Sequence, residues 1–141
     1  MTWTKHIGIT LGVAVVVFLV CFLGVSNVVI DAVEPIEGLP AEWVAQYQVA
    51  ALFAVAGGVA CSFLWYKTGK NYDGRGSIVT KYYLIWLVSL FFGVASIFLL
   101  DSAYGGAFFA QLSLPVASGF IYWVASYFAS VDSVKNIPLF R

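Results

Sequence analysis

Residues 7–30, 40–66, 82–100 and 107–131 form four apolar runs, and no charged residue lies in the middle of any of them. About 20 apolar residues in a helix cross the roughly 30 Å hydrocarbon layer of a bilayer, and each run meets or approaches that length. The whole chain is 62% hydrophobic and 10% charged over 141 residues. A soluble domain carries about 25% charged residues, so this chain lacks the polar surface to enclose a core in water. The fold class expected is all-α: a polytopic membrane protein whose four transmembrane helices form two hairpins within one transmembrane domain, residues 1–141. The first run is too long for a signal-peptide core, and no Ala-x-Ala site follows it. Val20 before Cys21 is also wrong for a lipoprotein cysteine. Residues 7–30 therefore read as a first span.

The long polar interruption is the loop 67–81. It holds Lys67, Lys70, Arg75 and Lys81, four of the 7 basic residues. Four spans place Lys5, Lys135 and Arg141 on the same side as that loop. The opposite side has no basic residue and carries Asp31, Glu34, Glu37, Glu42 and Asp101. The positive-inside rule then puts both termini and the loop in the cytoplasm, in a cell (inner) membrane. Trp3, Trp65, Tyr66, Tyr82, Tyr83 and Trp86 cluster toward that side and read as an interfacial belt. Net charge is zero, which gives no basic footprint for nucleic acid.

Small residues at helical spacing mark faces that pack on other helices. Gly8 and Gly12 form such a pair in the first span. Ala50, Ala54, Gly57 and Cys61 continue the pattern in the second, and Ser89, Gly93 and Ser96 in the third. In the fourth, Gln111, Pro115, Ser118, Tyr122, Ala125 and Ala129 share one face. Leu112, Val116, Phe120, Trp123 and Phe128 lie largely away from it and suit lipid. Short matches between spans one and three, and between spans two and four, fit a weak duplication of one hairpin.

Chemistry-bearing constellations are sparse. Proton relays and ion-coupled transport need an ionisable group within the membrane, and the spans have none at mid-depth. Asn27, Gln46, Asp101 and Gln111 come to similar depths at the outer side. Pro115 has no N–H to give the Gln111 carbonyl, so that carbonyl needs another partner. These five residues outline an outer polar pocket; the plainer reading is ordinary hydrogen bonding between helices. Cys21 and Cys61 differ in depth by on the order of 10 Å, too far for a disulfide. His6, the only histidine, sits beside Lys5 and reads as interfacial. Gly69, Gly74 and Gly76 lack the spacing of a phosphate loop. No catalytic set, metal site or cofactor is expected. The embedded glutamate of small multidrug exporters is missing, and so are the redox cysteines of disulfide-generating membrane enzymes.

The function expected is non-enzymatic: helix–helix association as an accessory or structural subunit of a membrane complex, or as a homo-oligomer. Its partners are then the lipid bilayer and other membrane subunits or copies of itself. A passive channel or carrier for a small solute is the alternative, followed by an immunity protein against a membrane-active toxin.

Overall fold

A computed structural model describes residues 2–25, 39–100 and 108–138. Among these residues all regular structure is helical, with no strand. Helix α1, Trp3–Leu19, runs on through a π-helical turn, Val20–Val25. Helix α2 is Leu39–Lys70, α3 is Ile78–Ile97, and α4 is Phe108–Ala129, with a 3₁₀ turn at Asp132–Val134. Among the described residues, four segments are long and apolar enough to cross a membrane: Trp3–Gly24, Trp43–Lys70, Ile78–Ile97 and Ala110–Ala129.

Helix ends and apolar-run ends differ at the basic end. The first helix starts at Trp3 rather than near residue 7, because Thr2 caps it and accepts the Lys5 backbone N–H at 3.4 Å. Helix α2 continues to Lys70, and its last turn gains from Lys67 and Lys70 against the negative end of the helix dipole. Helix α3 starts early as well, with the Ser77 hydroxyl accepting the Thr80 N–H at 3.2 Å. The loop expected over 67–81 shrinks to residues 71–77. Gly74 and Gly76 turn the chain there with φ of 82° and 80°, a region that favours glycine.

Helices α2 and α4 form the centre of the bundle, and α1 and α3 each pack on that pair. One apolar cluster gathers Tyr47, Ala54, Leu114 and Ile121 with the inward face of α1. A second gathers Trp65, Ile85, Tyr82 and Tyr122 toward the basic end. The tightest approach joins α3 to α4. A Cβ added at Gly93 would lie 2.6 Å from the Pro115 nitrogen and 2.7 Å from the Leu114 carbonyl oxygen. At Gly58 an added Cβ would lie 2.7 Å from the Ser118 carbonyl oxygen. The outward surface is covered by exposed Val15, Val16, Leu87, Phe91, Val116 and Phe128, an exterior suited to hydrocarbon rather than water.

Candidate functional site

The outer pocket residues are placed differently from one another. Asn27 and Asp101 lie outside the described residues. Gln46 and Gln111 are half-buried in α2 and α4. Pro115 sits at the α3–α4 crossing with its backbone against Gly93, and α4 runs helical through it. Toward this end the bundle is bridged by Tyr47. Its hydroxyl lies 2.7 Å from the Ser113 hydroxyl, which itself donates to the Ala110 carbonyl at 2.6 Å. With that proton committed, Tyr47 is the donor to Ser113. Trp43 stacks on the Tyr47 ring at 5.3 Å, and the Cys21 thiol meets the Tyr47 hydroxyl.

The small-residue faces divide into two groups. Ala50, Ala54, Gly57, Ser89, Gly93, Ser96 and Ser118 are all buried, with Gly57 against Phe92 of α3 and Gly93 against Pro115 of α4. Ser89 and Ser118 clasp each other: the Ser89 hydroxyl donates to the Ser118 carbonyl at 2.8 Å, and the Ser118 hydroxyl donates to the Ser89 carbonyl at 2.6 Å. Ser96 turns back to the Gly93 carbonyl of its own helix at 2.6 Å. Gly8 and Gly12 behave otherwise. Both are exposed, and a Cβ added at either meets nothing within 4 Å.

His6 lies near the basic end but is enclosed in the bundle rather than facing outward. It is 0% exposed, enclosed by α1, α2 and α4. Nδ1 is 2.9 Å from the Ala129 carbonyl oxygen, and an acceptor-only partner requires a proton on that nitrogen. The bond caps α4, since the last carbonyls of a helix have no donor of their own. Nε2 faces the Ser62 hydroxyl at 3.4 Å, and Ser62 lies 3.0 Å from the Thr10 hydroxyl. Tyr66, Phe63 and Trp3 surround the imidazole, with ring centroids 4.5, 5.7 and 5.9 Å away. Adjacency to Lys5 suggested the surface. The spacing of His6, Thr10, Ala14, Val17 and Cys21, one face of a helix, is the signal that would have placed it inside.

The aromatic residues expected as a belt lie toward the basic end but divide between surface and core. Trp3 and Tyr83 are exposed, but Trp65, Tyr66 and Tyr82 are core residues. The Trp65 indole N–H donates to the Ser130 hydroxyl at 2.9 Å. The Ser130 hydroxyl in turn donates to the Ser126 carbonyl. The Tyr82 hydroxyl donates to that of Ser126 at 3.0 Å, because Ser126 spends its proton on the Trp123 carbonyl at 2.9 Å. Tyr122 donates to the Tyr82 backbone carbonyl at 3.0 Å. Buried tyrosine and tryptophan need polar partners, and Ser126 in α4 and Ser130 just after it supply those of Tyr82 and Trp65.

Every buried side-chain nitrogen or oxygen among the described residues has a partner. The Ser62–His6 pair has the composition of a nucleophile and base. Both residues are fully buried, however, and the orienting position opposite Nδ1 is a backbone carbonyl rather than a carboxylate. Cys21 and Cys61 are buried free thiols. No group of three His, Cys, Asp or Glu suited to a metal occurs among the described residues. Comparison with known proteins finds no matching family model, no matching curated protein and no matching solved structure.

Proposed function

We propose that this chain works by helix–helix association in a membrane, with α1 as the docking face for another membrane subunit or a second copy. The observation that carries this reading is the division of the glycines. Gly57, Gly58, Gly93 and Gly119 are each crowded by a neighbouring helix, whereas Gly8 and Gly12 meet nothing. Glycine lowers helix stability by about 1 kcal/mol relative to alanine, so two on one open face need a compensating contact. Gly12 also borders an apolar groove of about 280 Å³ between α1 and α4, lined by Val13, Val16, Val17, Phe120 and Val124. A helix seated there gains close backbone approach along the Gly-x-x-x-Gly pair. The internally satisfied hydroxyls support this reading over a solute pathway, which needs polar groups left open.

The experiment compares Gly8→Leu/Gly12→Leu with Gly93→Leu. The first pair keeps the thermal stability of the extracted protein but shifts its assembly mass in mild detergent to a smaller species. Gly93→Leu lowers stability itself, by at least the about 1–3 kcal/mol typical of overpacking. An unchanged assembly mass for the α1 pair rules out α1 as the docking face. In this reading the basic end faces the cytoplasm of a cell (inner) membrane. A cysteine at Ser77, with Cys21 and Cys61 replaced, then labels from the cytoplasmic side, and labelling from the opposite side reverses the orientation.

A further inference from the structure

At the basic end, a cleft of about 580 Å³ separates the first turn of α1 from the last two turns of α2. Trp3, Phe63, Leu64, Tyr66, Lys67 and Lys70 line it. We propose that this cleft binds one anionic phospholipid, with an acyl chain on the aromatic wall and the phosphate between Lys67 and Lys70.

The lining is ordered by height along α2. Phe63, Lys67 and Lys70 follow the spacing that puts side chains above one another on one helix face, with Tyr66 below Lys70 by the same rule. An apolar floor therefore gives way, within two turns, to two exposed ammonium groups. That gradient matches a phospholipid at the boundary between hydrocarbon and headgroup. An acidic soluble protein would find the charge but would have to bring its own apolar insert to fill the floor. The volume lies within the about 300–1,000 Å³ range of small-molecule sites.

The wall is preorganised. Trp3 packs on Tyr66 and Phe63 with centroids 4.9 and 5.5 Å apart, and it stacks on His6 at an interplanar angle of 12°. His6 is itself fixed by its bond to α4. The indole thus stays in place with no ligand present, which lowers the ordering cost of binding. Arg75 and Lys81 are also exposed cations at this end, but they do not line the cleft.

That difference supplies the test. The full chain is extracted, stripped of lipid and returned to mixed micelles with phosphatidylglycerol or phosphatidylcholine. Retained lipid is counted by native mass spectrometry, and the melting temperature is followed in parallel. The parent should retain one phosphatidylglycerol and melt higher with it. Phosphatidylcholine should be retained far less. Lys67→Gln/Lys70→Gln should weaken phosphatidylglycerol binding about 30-fold, the effect of two cations near a charged surface. Arg75→Gln/Lys81→Gln removes the same charge and should leave binding close to the parent value. Equal loss in both double variants means diffuse attraction and overturns the site. Equal retention of the two lipids by the parent does so independently of any variant. A melting shift produced by inorganic phosphate alone, without lipid, assigns the lysines to a free anion and also overturns it.

Discussion

At the scale of single residues, His6 shows how a bulky polar group is accommodated inside an apolar bundle. Each ring nitrogen has a partner, and one partner is a helix-end carbonyl that would otherwise have no donor. His6→Phe keeps the ring packing and removes the donor. Leaving a buried carbonyl unsatisfied costs about 1–3 kcal/mol, so the melting temperature in detergent should fall. His6→Asn restores a donor close to the Nδ1 position and should recover part of the loss. Identical melting of all three proteins would show that the cap contributes nothing. This residue was also the hardest to place from sequence. Its neighbours Thr4 and Lys5 are exposed, and only positions three and four residues onward reveal the face it belongs to. Gly93 was the opposite case. A glycine between serines at helical spacing on an apolar run is readable as a contact point, and the Pro115 backbone is what it contacts.

At the scale of elements, the four spans were legible because hydropathy reports the one property a bilayer enforces. Where helices stop was less legible, because a helix does not end where hydrocarbon ends. Lys67, Thr68 and Lys70 remain helical beyond the apolar run, and the Thr68 hydroxyl bonds back to the Leu64 carbonyl at 2.8 Å. In the outer pocket, the Tyr47–Ser113 bond is not legible from residue order, because it depends on how α2 and α4 cross. The α3–α4 contact makes a quantitative expectation. Ser89→Ala and Ser118→Ala should each cost about 0.6 kcal/mol, the average for hydrogen bonds between membrane helices. Their hydroxyls also lie 3.1 Å apart, so the double variant should lose less than the sum of the two. Strict additivity in a double-mutant cycle would mean that the two bonds act independently.

At the scale of the whole molecule, two surfaces differ in kind. Between the helices the small residues and hydroxyls are taken up in contacts, those of Ser62 with α1 included, whereas Gly8 and Gly12 on the outer face of α1 meet nothing. On the proposed reading the outer face of α1 meets the partner, so assembly and stability should respond to different glycines. The His6–Ala129 bond adds a statement about time. The two residues are 123 positions apart, so α1 can meet its Ser62 partner once α2 is made but its bond to Ala129 only when α4 follows. Until then α1 has α2 as its neighbour but lacks α4, against which it makes its more extensive contact. We predict that nascent chains halted after residue 107, with Cys61 replaced, expose Cys21 to a lipid-soluble maleimide, and that released full-length chains shield it. Equal labelling of both would show that α1 docks without α4. If the protection appears only once α4 is made, a helix synthesised early is fastened by one synthesised much later.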